Sequence, residues 1–269
     1  MEEFHGNFSE LEDLLSKDIF RSYQSFIKNN EEKCLNDLVK ITTKLNNSNA
    51  KYKGEIIDFL YQPMFFHQGD FSRFEYITKM MISIIEKCTE EYLKNPVFRE
   101  LFGYSKIMEE LILIDPGYKN PVPIARFDLF YNDDYKFCEL NGDGTSAMNE
   151  TNTLEQIFTE SEIIKELRKD YKISYHELFL SWLKQLLNIY KEFGGTEKPN
   201  IAISDFMGLG SNEEFDTFKE VFEKQGYKTV ICDPRDMKYQ DGKLYVDDIR
   251  IDLIYRRAVN KEVELRIDE

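Results

Sequence analysis

Polar side chains alternate with apolar ones in two short segments near the middle of the chain, and this alternation is typical of β-strands. Arg126 and Asp128 lie in the first segment, and Glu139 and Asn141 lie in the second. The polar run 132–134 between them predicts a turn, so the two segments together predict a β-hairpin. A two-residue loop sets Asp128 opposite Glu139 and Arg126 opposite Asn141. All four polar side chains then share one face near the open end of the hairpin.

The same two-residue loop makes further predictions closer to the turn. It pairs Asn132 with Tyr135, and it places Phe130 opposite Phe137 on the face that carries the polar residues. Cys138 alternates with its polar neighbour, so it is predicted to point to the opposite face of the hairpin and to pack there.

Two carboxylates directly opposite each other destabilise a strand pair unless a cation lies nearby. Arg126 could neutralise one of them. A hard divalent ion such as Mg²⁺ could hold both Asp128 and Glu139, with Asn141 as a neutral oxygen ligand. The alternative is a surface hairpin with ordinary salt bridges, which are common and contribute little to stability.

The loop that follows the second strand favours a functional site. Residues 142–147 contain two glycines and two hydroxyl side chains, and a helix is predicted to run on from Thr151. Loops of this kind bring backbone N–H groups and hydroxyls close to an anion or to a substrate carboxylate.

Residues 126–131 read R-F-D-L-F-Y, residues 136–146 read K-F-C-E-L-N-G-D-G-T-S, and Asn149-Glu150 follow. This order resembles the glutathionylspermidine synthase group of ATP-grasp ligases. A later run, I-D-L-I-Y-R-R at 251–257, resembles a segment of circularly permuted ATP-grasp proteins. The resemblance covers about residues 121–152 and, more loosely, 199–259.

The resemblance implies an enzyme family that joins a carboxylate to an amine through an acyl phosphate made from ATP. It implies that Asp128, Glu139 and Asn141 are the Mg²⁺ ligands. It also implies a catalytic role for Arg126, which would stabilise the transferring phosphoryl group or the acyl phosphate. ATP and Mg²⁺ are therefore the expected cofactors, and a small-molecule acid and an amine are the expected substrates.

Three residues are implied as contacts of the acid substrate: Asp143, Ser146 and Glu150. Glu150 has a second interpretation, as a favourable acidic residue near a helix N-terminus. By the same resemblance, one arginine of the pair at 256–257 faces the active-site cleft. Arginines that follow an edge strand are also commonly just solvated.

In the permuted family, the elements that clamp the adenine nucleotide come after the segment that matches residues 251–257. The chain given ends at Glu269. We therefore expect it to be the N-terminal portion of such a ligase, with the nucleotide-clamping half supplied by a longer parent or a partner chain. The alternative is a non-catalytic module, derived from the same fold, that binds a small molecule or a protein.

Composition limits the classes of partner. The net charge of −15 argues against nucleic acid and against anionic membranes, because both attract basic surfaces. It would suit a polycationic substrate such as a polyamine, although acidic charge commonly serves solubility alone. The four cysteines show no C-x-x-C spacing and are predicted to be reduced and mostly buried. With no signal peptide or membrane span apparent, the cytoplasm is the expected location.

The periodicity predicts an α+β fold in three parts. Residues 1–118 are predicted to form a helical region, residues 119–194 a β-hairpin with two helices, and residues 195–269 a small Rossmann-like unit. The resemblance implies that the hairpin binds metal and that the last part is a pre-ATP-grasp unit. The last part is predicted to contain parallel strands at 201–206 and 227–232 joined by a helix at 213–225, followed by a hairpin of 243–246 with 250–255. The loop 208–211 lacks the third glycine of a dinucleotide fingerprint, and Glu213 and Glu214 would repel a phosphate. It is therefore predicted to be a structural βα turn, or at most a substrate-facing edge, and not an NAD site.

Helices are also predicted at 9–30, 32–46, 70–93, 96–113, 149–169 and 176–193.

Overall fold

The computed structural model describes residues 8–131, 135–210 and 212–269, with side chains from residue 18 onward in those ranges. The protein is mixed α+β, as predicted. Its helices are α1 (Phe8–Asn29), α2 (Glu31–Asn46), α3 (Gln68–Lys94), α4 (Pro96–Arg99), α5 (Lys106–Ile112), α6 (Met148–Thr159), α7 (Glu162–Leu167), α8 (Leu178–Glu192), α9 (Asn212–Lys224) and α10 (Asn260–Leu265). Its strands are β1 (Arg126–Tyr131), β2 (Tyr135–Asn141), β3 (Ile201–Ser204), β4 (Thr229–Cys232), β5 (Met237–Gln240), β6 (Lys243–Val246), β7 (Ile249–Ile251) and β8 (Leu253–Arg256).

Two helices predicted from periodicity are broken by serine caps. The predicted helix 96–113 is divided into α4, a 3₁₀ turn at Glu100–Phe102 and α5. The Ser105 side chain accepts a hydrogen bond from the Met108 N–H and so starts α5 anew. In the same way, Ser161 accepts from the Ile164 N–H and divides the predicted helix 149–169 into α6 and α7. Apolar spacing continues across both breaks, whereas the local capping bond fixes a new helix start.

The chain divides into two compact units. The first takes the residues up to Met81 together with Glu150–His176, and the second takes Ile82–Asn149 together with Glu177–Glu269. The three-part division at residues 118 and 194 stays a prediction.

The first unit packs helices around two apolar clusters. One cluster joins α1 to α7, and the other joins α2 and the segment after it to α6. Their buried members are Ile19, Tyr23, Ile163, Ile164 and Leu167 in the first cluster, and Ile41, Leu45, Ala50 and Phe158 in the second.

A buried carboxylate ties these helices together. Asp37 of α2 accepts hydrogen bonds from the Glu162 N–H at the start of α7 and from the Tyr61 hydroxyl, both at 3.0 Å. Burial, followed by the hydrogen bond to Asp37, raises the pKa of Tyr61 far above its usual range. Asp37 is thus a structural acid that satisfies the exposed N–H groups of a helix end.

A three-stranded parallel sheet in the order β4-β3-β8 forms the centre of the second unit. All four residues of β3 are buried, as expected for a parallel strand covered on both faces. Ile201 and Ile203 pack against α8 and α9. Ala202 points the other way and packs with Val246 and Ile251 of the antiparallel sheet β5-β6-β7. The predicted parallel pairing of β3 with β4 is confirmed.

The predicted strand 250–255 is wrong, because the chain changes sheets at Asp252. Residues before it form β7, which pairs with β6, and residues after it form β8, which pairs with β3. The Asp252 carboxylate accepts a hydrogen bond from the Asn200 N–H, which lies next to the start of β3. This contact between distant parts of the chain fixes a bend that strand periodicity alone does not reveal. Strand β5 was not predicted either.

The four cysteines are free, as predicted. Cys34 and Cys232 are buried, but Cys88 and Cys138 are exposed, so the prediction that Cys138 packs is wrong. Within the described residues, no helix combines the length and apolar composition that crossing a bilayer requires.

Candidate functional site

The hairpin of β1 and β2 has the predicted register at its open end. Asp128 lies opposite Glu139, and Arg126 lies opposite Asn141. Two carboxylates therefore occupy directly facing positions, which is unfavourable without a neighbouring cation. This placement brings four of the predicted site residues together on neighbouring strands of the second unit.

Nearer the turn the register shifts by one residue. An irregularity follows Asp128, and beyond it Leu129 pairs with Phe137 and Phe130 pairs with Lys136. The prediction that Phe130 faces Phe137 is therefore wrong. Tyr135 pairs with Tyr131, while its predicted partner, Asn132, and the predicted loop 133–134 lie outside the described residues. A bulge of this kind inserts one extra residue in one strand, and strand alternation does not predict it.

Arg126 lies at the centre of the polar face and contacts three other residues. Its Nε and Nη2 atoms donate to the two carboxylate oxygens of Asp128, at 2.8 and 3.2 Å. Its Nη1 atom donates to the Ser146 carbonyl at 3.0 Å, and Nη2 lies 3.8 Å from Glu139 Oε1. The hydrogen bonds from Arg126 hold the pKa of Asp128 below its usual range, and the same bonds raise the pKa of Arg126. Asp128 is therefore ionised at neutral pH.

The second carboxylate has a different partner. The Asn141 side-chain amide donates to Glu139 Oε1 at 3.0 Å. Arg126, Asp128 and Glu139 together carry one positive and two negative charges. The cluster thus has a net charge of −1, with carboxylate oxygens that remain partly open to solvent.

The donor set of this cluster fits a hard divalent cation. Asp128, Glu139 and the Asn141 amide offer oxygen ligands on facing and alternate strand positions, which is the chemistry that Mg²⁺ prefers. The two-pronged bond from Arg126 leaves lone pairs on the Asp128 oxygens, because an ionised carboxylate has about four acceptor sites. No group of three or more His, Cys, Asp or Glu side chains suited to a metal occurs among the described residues. A metal here would therefore depend on the amide and on substrate or water oxygens.

The loop after β2 is fixed against the segment that follows β8. The Asp143 carboxylate accepts from the Asn260 N–H at 2.7 Å and from Arg256 Nη2 at 3.0 Å. Thr145 donates through its hydroxyl to the Asn141 carbonyl at 2.8 Å. Asp143, predicted to contact substrate, thus makes two internal contacts that hold this loop in place.

The other two predicted substrate residues differ in their settings. Ser146 lies in the same loop and presents its carbonyl oxygen to Arg126. Glu150 is buried in α6 and belongs to the first compact unit, whereas the hairpin belongs to the second.

Sequence reasoning missed a buried ion pair next to this loop. Arg257 Nη2 lies 3.1 Å from Glu214 Oε1, and both side chains are almost fully buried. Glu214 was predicted to repel phosphate from the turn before α9. Instead its carboxylate accepts from the backbone N–H groups of Met148 and Asn149. No local signal could have revealed the pair, since the two residues come from separate elements of the sheet layer.

The turn before α9 contains two glycines under different constraints. Gly208 has a positive φ of 88°. A Cβ atom on Gly210 would collide with the Asp205 carboxylate and the Phe215 ring. Burial raises the pKa of Asp205 above its usual value. Ser211, the last residue of the predicted loop, lies outside the described residues.

No family model matches the chain, and neither a curated protein nor a solved structure matches it. The argument for function therefore comes from the residues and contacts described above.

Proposed function

We propose that this chain carries the metal-binding and acid-substrate part of an ATP-dependent carboxylate–amine ligase of the glutathionylspermidine synthase-like group. The observation that carries the proposal is the facing pair Asp128 and Glu139, with Arg126 bonded to one carboxylate and Asn141 to the other. An ordinary surface hairpin gains little by placing two acids opposite each other. A site that holds Mg²⁺ for nucleotide phosphates uses one or two carboxylates as ligands.

In this proposal Asp128, Glu139 and Asn141 would hold Mg²⁺, which would supply positive charge to the nucleotide phosphates. Arg126 lies at the centre of the cluster and keeps its proton at every physiological pH. Its guanidinium can therefore stabilise a transferring phosphoryl group while it still holds Asp128 in place.

The proposed reaction has two steps. A substrate carboxylate oxygen attacks the γ-phosphorus of ATP and ADP leaves, which gives an acyl phosphate. The amine nitrogen then attacks the acyl carbon, phosphate leaves, and the amine loses a proton to form the amide. The loop with Asp143 and Ser146, which lies directly after the metal ligands, is the proposed binding place of the acid substrate.

The sheet β4-β3-β8 with α9 supports the finer fold assignment. Three parallel strands with a helix between β3 and β4 are typical of Rossmann-like units, whose ligands bind at the carboxyl ends of the strands. We propose that this layer is the pre-ATP-grasp unit. The side chains that would clamp the adenine nucleotide are not assigned, and a further domain or partner chain supplies them in this proposal. The acidic net charge disfavours nucleic acid and anionic membranes as partners, and the cytoplasm is the proposed location.

The second candidate is a non-catalytic module that binds a small molecule or a protein through the same hairpin. The hydrogen bond from Arg126 to Asp128 favours this second candidate, because the arginine already neutralises one of the two carboxylates. Nucleotide-dependent binding of Mg²⁺ at the hairpin separates the two candidates.

The test is a calorimetric titration of the protein with Mg²⁺-ATP. Asp128→Asn removes one carboxylate charge at nearly constant size. Asp252→Asn is the matched control, because Arg250 of β7 and Asp252, which directly follows β7, form the same Arg-x-Asp pair, with Arg250 Nε 2.6 Å from Asp252 Oδ1. The control pair lies away from the β1-β2 hairpin, and an asparagine at 252 keeps an oxygen that can accept from the Asn200 N–H.

We expect the wild type and Asp252→Asn to bind Mg²⁺-ATP with equal affinity. Asp128→Asn should bind at least about tenfold more weakly, which corresponds to about 1.4 kcal/mol. Measurable and equal binding by all three proteins would contradict the ligase proposal.

A further inference from the structure

Glu214 and Arg257 form a buried ion pair, and burying both charges costs desolvation free energy that apolar residues at the same positions would not cost. The two side chains are 2% and 4% exposed, and their charged atoms lie 3.1 Å apart. Removing two charges from water costs several kcal/mol per ion, and well-packed apolar replacements are often equally stable. The pair therefore calls for a role in orientation rather than in stability.

Glu214 uses its second oxygen on a helix end. Oε2 accepts from the backbone N–H groups of Met148 at 3.1 Å and of Asn149 at 3.3 Å. These residues lie in the first turn of α6, where backbone N–H groups carry partial positive charge. The carboxylate of α9 thus fixes the point where the loop 142–147 becomes helix.

Arg257 is itself held firmly at the end of β8. Its backbone N–H donates to the Ser204 carbonyl at 2.7 Å, and its Nη1 donates to the Tyr255 hydroxyl at 3.0 Å. Its guanidinium lies 5.4 Å from the centre of the Phe215 ring. Arg257 therefore places its positive charge next to Glu214 at a point fixed by the parallel sheet, whose strand β3 is fully buried.

The loop between these anchors carries the carbonyl that orients Arg126. Ser146 stands two residues before Met148, and its carbonyl accepts from Arg126 Nη1 at 3.0 Å. A shift of the first turn of α6 would move this carbonyl. Arg126 would then lose one of the hydrogen bonds that fix the orientation of its guanidinium group.

We propose that Glu214, whose charge Arg257 balances, is a positioning residue for Arg126: its side-chain oxygen fixes the start of α6 and, through it, the Ser146 carbonyl that receives the Arg126 guanidinium. The role given to Arg126 in catalysis rests on the proposed function. The orientation of Arg126 does not, and it can be measured without metal or nucleotide.

Two double variants of the intact chain isolate the acceptor oxygen. Glu214→Gln with Arg257→Met keeps an oxygen that can accept from α6, and Glu214→Met with Arg257→Met removes it. Both variants are neutral at the pair and similar in size. Lys219→Met with Glu223→Gln is the control, because it removes an exposed ion pair from the same helix.

The readout is the ¹H–¹⁵N NMR signal of Arg126 Nε and the exchange rate of its proton with solvent, with the melting temperature recorded for each variant. The Glu214→Met variant should exchange this proton about tenfold faster. Loss of the hydrogen bond from Nη1 to the Ser146 carbonyl loosens the whole planar guanidinium, and with it the bond from Nε to Asp128. The Glu214→Gln variant and the control should keep the wild-type rate. A folded Glu214→Met variant with the wild-type rate, or equal acceleration in both double variants, would overturn the proposal.

Native-state hydrogen exchange of the wild type decides the matter if the Glu214→Met variant does not fold. The proposal requires that the amides of Met148 and Asn149 and the Nε proton of Arg126 open with the same free energy and the same dependence on denaturant. Separate opening of Arg126 would overturn it. Measurable and equal binding of Mg²⁺-ATP by the wild type and by Asp128→Asn would contradict the proposed function and leave these exchange results unaffected.

Discussion

Gly144 is the position where one added methyl group should disturb the candidate site most. Its φ is +60°, and a Cβ atom there would lie 2.6 Å from Val259 Cγ1 and 2.9 Å from the Arg257 carbonyl oxygen. Gly142 is the natural control in the same loop. Its added Cβ would meet only Val122 Cγ1 at 3.4 Å, and its φ lies outside the left-handed region.

The expected cost of Gly144→Ala has two parts. An L-residue in the left-handed region costs roughly 1–2 kcal/mol. Overpacking against a neighbouring backbone costs roughly another 1–3 kcal/mol. We therefore expect Gly144→Ala to lower the free energy of unfolding by about 2–5 kcal/mol. Gly142→Ala should change it by less than about 1 kcal/mol.

Urea unfolding followed by the fluorescence of Trp182 measures this difference. Trp182 is the only tryptophan, and it packs 5.5 Å from Tyr255 in the second unit. A Gly144→Ala protein as stable as Gly142→Ala would show that the loop does not lie against the segment after β8, and would refute the anchoring described for the site.

Two more predictions concern the second unit as a whole. Phe218 is fully buried, with ring centres 4.6 Å from Phe179 and 5.1 Å from Tyr255, so Phe218→Ala should cost about 3–5 kcal/mol in urea unfolding, whereas Phe218→Leu should cost far less. Hydrogen bonds from Arg235 hold the pKa of Asp233 well below its usual range. The stability that this bond contributes is therefore fully present above a pH of about 4, the unfolded value, and is lost as the pH falls through the folded value. Asp233→Asn should flatten the acid side of the stability–pH curve, and an unchanged curve would contradict this.

The pairing of Asp128 with Glu139 was predicted correctly because two differences between the predicted and the observed hairpin cancel. The predicted two-residue loop gives the same partner for Asp128 as the observed hairpin does. In the structure, however, Tyr131 already pairs with Tyr135, and a bulge after Asp128 restores the register. Alternation of polar and apolar residues fixes which residues share a face, but it does not report where an extra residue enters a strand.

The surroundings of the site were harder to predict, because they depend on contacts between distant residues. Asp252 ends one strand and starts another by bonding the Asn200 N–H. Glu214 looks like an ordinary acid in the first turn of a helix, and only the fold brings it to Arg257 and to the N-terminus of α6. Local patterns describe neither contact. The helix start at Ser161 could have been predicted from the sequence, because serine is a preferred N-cap residue before an apolar helical segment.

The most direct test of the proposed metal site is a titration with Mn²⁺, a paramagnetic ion with similar preference for oxygen ligands, followed by NMR. We predict that substoichiometric Mn²⁺ selectively broadens the amide signals of Asp128, Glu139 and Asn141. Excess Mg²⁺ should displace Mn²⁺ and restore these signals. Broadening centred on other acidic residues, or none at these three, would contradict the assignment of the hairpin as the metal-binding element.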